Sequence, residues 1–153
     1  MKTVKILTRS DDVQQIVEEI NNASWDEANE MSEYDVASLL AYLERPDTLF
    51  LTCHETSPEK PTLLGVASSR IEMKPYGQEL WLYVDEVDVC SDQRQKGVGK
   101  AIMYKLIEIA REIGCGELWL GSEVENTAAN ALYHSLGPDE VAQVVGYTYE
   151  TDE

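Results

Sequence analysis

Positive charge is what this chain has least to spare: 12 Lys and Arg stand against 29 Asp and Glu, a formal net charge of −17. So negative a surface repels nucleic-acid phosphates and anionic lipid, which argues against both as partners and favours a cationic one. Cysteine is also scarce. Cys53, Cys90 and Cys115 are odd in number and scattered, so no disulfide framework is expected and the thiols read as reduced, small apolar side chains. The two histidines, His54 and His134, stand apart from any ligand spacing, so no metal site is expected. Long apolar runs are missing, and MKTVKILTRSDD turns acidic too soon for a secretory signal. These absences leave a soluble, cytoplasmic protein, and 153 residues that are 43% hydrophobic suit a single domain over 1–153.

The few cations are not spread evenly. Arg94, Lys96, Lys100, Lys105 and Arg111 fall within eighteen residues, around DQRQKGVGKAI. After Arg111 no Lys or Arg follows, while Glu112, Glu117, Glu123, Glu125, Asp139, Glu140, Glu150, Asp152 and Glu153 do. An acidic surface that served solubility alone would not need this segregation. One part of the chain is suited to anions and another to cations.

Hydrophobic spacing predicts alternating element types. TVKILT reads as a strand, followed by a helix capped at Ser10 or Asp11 with Val13, Ile16, Val17 and Ile20 on one face. An acidic connection, NNASWDEANEMSEYD, leads to a helix near 33–44 that stops before Pro46. TLFLTC and LLGVASSRI form a hairpin across ETSPEKP, and KPYGQ turns into the long strand ELWLYVDEVDV. KAIMYKLIEIAREI places Ile102, Leu106, Ile109 and Ile113 at helical spacing up to a Gly114 C-cap, and GELWLGSE is a fifth strand. Asn126 caps a short helix carrying Ala129, Leu132, Tyr133 and Leu136, and residues 141–150 read as terminal strand. Strand, helix and strand over 80–122 require a parallel pair with a right-handed crossover. The class is α/β: a mixed, mostly antiparallel sheet with a central parallel pair, flanked by about four helices.

The glycines at 97 and 99 stand where a strand hands over to a helix. There the first helical N–H groups are free, and without Cβ atoms the backbone can approach a ligand closely, as in a phosphate cradle. The pattern lacks the Lys-Ser/Thr of a phosphate loop and the third glycine of a dinucleotide turn, and a six-residue match of this kind also describes an ordinary tight turn.

VDVCSDQRQKGVGKAI resembles the acetyl-coenzyme A signature of the GNAT superfamily of N-acetyltransferases, and NTAANALYHSLG resembles that superfamily's second signature. The resemblance implies acetyl-CoA as cosubstrate. It implies that the backbone of Arg94, Gln95, Lys96, Gly97, Val98, Gly99 and Lys100 holds the pyrophosphate. It further implies that the main chain of Val87, Asp88 and Val89 pairs with the pantetheine arm, that Asn126 and Ala129 border it, and that Tyr133 protonates the departing thiolate. A bulged fourth strand splaying from the fifth is also implied.

The chemistry needs a proton acceptor, because an alkylamine with a pKa of about 10 is protonated at neutral pH. Asp85, Glu86 and Asp88 are the candidates. Strict alternation puts Asp85 with Val87 and Val89, and Glu86 with Asp88 on the other face; a bulge reverses part of that. Glu86 is favoured, since the matching family position is often acidic. Length, YVDEVDV and LYHSLG are similar to the aminoglycoside 3-N-acetyltransferases of this superfamily, which implies a small polycationic acceptor. Carboxylates suited to it are Asp26, Glu27, Glu30, Glu123, Glu125, Asp139 and Glu140, although solvated surface acids look the same in a sequence. Polyamine or protein amino groups and a non-catalytic coenzyme sensor are the competing readings. Pro138 stands where the superfamily favours an aromatic, which leaves the terminal course, and any homodimer interface there, open.

Overall fold

The computed structural model describes residues 1–57 and 60–152, and its framework is one mixed five-stranded sheet in the order β1-β2-β3-β4-β5. The elements are β1 (Lys2–Ile6), α1 (Val13–Asn22), α2 (Val36–Glu44), β2 (Thr48–Glu55), β3 (Thr62–Met73), β4 (Leu80–Val89), α3 (Val98–Ile113), β5 (Glu117–Leu120) and α4 (Thr127–Ser135). Strands β1 to β4 pair antiparallel with their neighbours, and β4 pairs parallel with β5 through the α3 crossover. The chain divides into two compact units, Met1–Leu120 and a shorter one that begins at Gly121. No helix among the described residues is long and apolar enough to cross a membrane.

The sheet of the first unit is covered on both faces. On one, Val13, Val17 and Ile20 of α1 and Leu39 of α2 pack with Leu7, Phe50, Leu63 and Val66. On the other lies α3, with Val98, Ile102, Met103, Leu106, Ile109 and Ala110 buried. Gly65 decides how closely α3 can sit. A Cβ there would lie 2.7 Å from the Asp88 carbonyl oxygen and 3.1–3.2 Å from Ile102 and Val98, so no side chain fits between helix and sheet at that point.

Several expectations are corrected. Helix α1 is capped by Asp12, which accepts from Gln15 N, whereas Asp11 accepts from Lys5 and Thr8. Helix α2 begins at Val36 under an Asp35 cap, since the aspartate accepts from Ser38 N and from the Ser38 hydroxyl. Ile113, expected on the apolar face of α3, is exposed in the last turn before the Gly114 cap. Strand β5 is only four residues long, and residues 138–152 form no strand, so the parallel pair lies at the sheet edge. Strand propensity in VAQVVGYTYE does not suffice without a neighbouring backbone to complete the ladder. In the hairpin loop ETSPEKP, Pro58 and Glu59 fall outside the described residues.

Candidate active site

Strand β4 carries a bulge opposite Ser68 and Ser69. Ser68 pairs with Glu86 but Ser69 with Val84, so Asp85 is the extra residue. Phe50 and Val66 belong to the α1/α2 face, and through Phe50–Ser68–Glu86 and Val66–Asp88 the register puts Glu86 and Asp88 there too. Val87 and Val89 pair with Ala67 and Gly65 on the α3 face. Asp85 would follow the valines under strict alternation, but the bulge turns it to the carboxylate face, where Arg70 Nε lies 3.2 Å from both of its oxygens. Arg70 itself lies 5.3 Å from the centroid of Tyr83, its cross-strand partner.

Glu86 and Asp88 differ sharply in environment. Glu86 is exposed, whereas Asp88 is only 5% exposed and its Oδ2 is buried without a hydrogen-bond partner. Burial first, then the charge of Glu86 and a hydrogen bond with it, push the Asp88 carboxyl up to about 7. Tyr34 faces this pair: burial, followed by the charges of Glu86 and Asp88, pushes its phenol up to about 12. Its backbone is clamped by Asn21, whose side chain accepts from Tyr34 N and donates to Tyr34 O, each at 2.9 Å. Neither Tyr34 nor Arg70 was legible as a site residue. Tyr34 sits in an irregular connection, and what aims it is a partner thirteen residues away.

Beyond the bulge, β4 outruns its parallel neighbour. Pairing with β5 stops at Val84–Leu120, so β5 offers no partner to the backbone of Val87, Asp88 and Val89 on that edge. Cys90 follows, its thiol bonded to Leu63 O at 3.4 Å and pushed up to about 11, chiefly by burial. A thiol held so firmly protonated is no nucleophile.

The turn into α3 has the form of an anion cradle. Gln95 (φ 60°) and Gly97 (φ 80°) are both left-handed, and no side chain caps the first turn of α3. Its N–H donors are therefore left to a ligand. Arg94, Gln95, Lys96 and Lys100 are exposed, whereas Val98 and Gly99 are buried and the Val98 side chain serves the core. Lys96 Nζ donates to Gln93 Oε1 at 3.2 Å. These uncapped amides and the open backbone edge of β4 fit the pyrophosphate and pantetheine of acetyl-CoA. Among the described residues no group of three or more His, Cys, Asp and Glu could hold a metal ion.

Of the acceptor candidates in the first unit, Asp26 is ion-paired with Arg94, while Glu27 and Glu30 are exposed on and beside a 3-10 turn at Glu27–Asn29. The remaining candidates belong to the second unit. There Asn126 caps α4 by accepting from Ala129 N at 3.1 Å, and the Asn130 side chain donates to Glu123 O and Asn126 O. Tyr133 lies in the last turns of α4, and Glu123, Glu125, Asp139 and Glu140 are exposed.

Bulge, open strand edge and uncapped turn follow one another along a single stretch from β4 into α3. The model of the acetyltransferase (GNAT) family matches residues 14–137, and the chain belongs to that family, whose acetyl donor is acetyl-CoA. Over 66 residues it is 36% identical to the alanine N-acetyltransferase of ribosomal protein bS18 from Escherichia coli, covering 43% of this chain and 45% of the relative. Over 52 residues it is 38% identical to a streptothricin acetyltransferase from Streptomyces lavendulae, covering 34% and 26%. The chain thus spans less than half the length of these curated relatives. Its fold matches an aminoglycoside acetyltransferase from an uncultured soil metagenomic sample, solved with sisomicin, at a TM-score of 0.82 and 18% identity over 99% of this chain and 97% of that one.

Proposed function

We propose that this protein is an acetyl-CoA-dependent N-acetyltransferase acting on an amino group of a small polycation, an aminoglycoside acetylated at the 3-amino position. The observation that carries the reading is the Glu86–Asp88 pair: an exposed carboxylate backed by a buried one that changes protonation near neutrality. A base with a pKa near the working pH combines the correct protonation state with useful proton affinity.

When bound, acetyl-CoA supplies the thioester carbonyl. The backbone of residues 94–100 holds its pyrophosphate, and Val87, Asp88 and Val89 offer main-chain groups to the pantetheine. Glu86 accepts the proton that the acceptor ammonium must lose, and Asp88 shares that proton behind it. The neutral amine then forms the C–N bond as the C–S bond breaks, Tyr133 gives its phenolic proton to the departing sulfur, and the second proton shed by the amide nitrogen restores the phenol. Asp85, neutralised by Arg70, takes no part in this transfer. Glu27 and Glu30 in the first unit, and Glu123, Glu125, Asp139 and Glu140 in the second, carry negative charge of the kind that suits a polycation. The shared fold with proteins named aminoglycoside acetyltransferases and the partial identity to a streptothricin acetyltransferase support a cationic antibiotic as acceptor.

The identity to a ribosomal-protein alanine N-acetyltransferase favours a second reading, a protein amino group. Free thiol released from acetyl-CoA in the presence of gentamicin, kanamycin, spermidine or an alanine-terminated peptide separates the two. Turnover with an aminoglycoside is expected, and turnover with peptide or spermidine alone replaces the acceptor. Tight coenzyme binding without turnover makes the protein a sensor.

A further inference from the structure

The acidic connection between α1 and α2 is fastened to the turn that precedes α3. Ser91 N donates to Ser24 O at 2.8 Å, and the Arg94 guanidinium is paired with Asp26 Oδ2. Asp26 is itself held in place: its Oδ1 accepts from Ala28 N at 3.1 Å, capping the 3-10 turn. Next to it, the Trp25 indole donates to Ile20 O at 2.9 Å and anchors the connection to α1. The carboxylate is therefore set opposite Arg94 by three local constraints, while Glu27 and Glu30 on the same turn take no part in that ion pair.

This pairing sets two roles in conflict. Arg94 belongs to the turn suited to pyrophosphate, and Asp26 belongs to the connection suited to a cation. As long as they neutralise each other, neither is fully available to a ligand. The side chains are 42% and 33% exposed, and an ion pair in such a setting is weak, whereas a pyrophosphate offers several charged acceptors in one place.

We propose that Asp26 and the coenzyme pyrophosphate compete for Arg94, and that the exchange releases Asp26 to bind an ammonium group of the acceptor. The inference rests on the reading of this protein as an acetyltransferase with a polycationic acceptor. Coenzyme binding then adds one uncompensated negative charge to a connection that already carries Glu27, Glu30, Glu33 and Asp35. Coenzyme binds first and acceptor second. Because linkage is reciprocal, an acceptor that occupies Asp26 tightens coenzyme binding by the same factor.

The test is calorimetric titration of coenzyme A into wild type, Asp26→Asn and Glu27→Gln, each with and without saturating gentamicin. In the absence of gentamicin, Asp26→Asn is expected to bind coenzyme A about twofold to fivefold more tightly, the equivalent of an exposed ion pair. Glu27→Gln removes the same charge without touching Arg94 and is expected to leave that affinity unchanged. Gentamicin is expected to tighten coenzyme A binding to wild type and to have little effect in Asp26→Asn. Weaker coenzyme A binding by Asp26→Asn would make Asp26 a support for Arg94 and overturn the exchange. Equal tightening by Glu27→Gln would reduce the effect to the general field and overturn it too. Failure of wild type to bind coenzyme A strikes at the acetyltransferase reading itself, and no heat with gentamicin strikes at the acceptor while the competition is still decided by coenzyme A alone.

Discussion

The turn before α3 and the strand that leads into it lie side by side in the sequence, yet they present their polar groups by opposite means. In the turn the chemistry belongs to the backbone: left-handed residues at 95 and 97 expose uncapped N–H groups, and the flanking side chains are in water. In β4 it belongs to side chains, whose character is set by depth, with Glu86 at the surface and Asp88 enclosed. Binding an anion there draws on fixed dipoles, beside an Arg94 whose guanidinium Asp26 already holds. Moving a proton at neutral pH is served by a carboxyl raised out of its ordinary range, and at Asp88 burial, the charge of Glu86 and a hydrogen bond with it do that.

The contrast breaks most visibly at Glu86. Glu86→Gln is expected to lower kcat by about 10² to 10³, the usual contribution of a general base, with coenzyme A affinity unchanged by calorimetry. A comparable loss of coenzyme affinity would show that strand and turn are not separable.

Gly97→Val is expected to do the reverse. A β-branched residue forced to a φ of 80° is strained by about 1–3 kcal/mol, so coenzyme A binding weakens about tenfold while the pH dependence of turnover stays as in wild type. Equilibrium titration and a pH–rate profile together measure both.

Asp88→Asn sharpens the comparison through pH. In wild type kcat/KM is expected to rise as pH passes through about 7, where Asp88 releases its proton, and the variant loses that inflection. Stability runs the other way. The folded state holds the Asp88 proton to about 7 whereas an unfolded aspartate releases it at about 4, so folded protein binds more protons in between and is destabilised as pH rises across that interval. The penalty is absent below the interval and full above it. Denaturant midpoints across it should therefore fall more steeply for wild type than for Asp88→Asn.

The smallest effect is expected at Cys90→Ala. The thiol is buried and protonated, so turnover is retained and stability falls by about 1 kcal/mol or somewhat more for the lost packing, read from chemical denaturation. Loss of turnover would point instead to Cys90 as a nucleophile that carries the acetyl group.

Much of this was legible in the residues. The glycine pair, the cations beside it, the long β4 pattern and the amphipathic α3 are local features whose spacing survives projection onto a line. Their agreement with the family pattern led to the right fold. The end of the chain was not legible in the same way: VAQVVGYTYE has the composition of a strand, but a strand exists only where another backbone completes its hydrogen bonds, and no residue from 138 to 152 is so paired.

By itself, the sequence determined the order of elements, the cradle-forming turn and the segregation of charge, because helical and strand periodicities and glycine geometry act over a few residues. Only the tertiary structure decided that a bulge swings Asp85 to Arg70 and that the Tyr34 phenol feels the charges of Glu86 and Asp88. It alone decided that Asp26 answers to Arg94 and that Asp88 sits deep enough to titrate near neutrality. Those properties depend on which surfaces meet across the sheet, and burial, unlike periodicity, belongs to no residue alone.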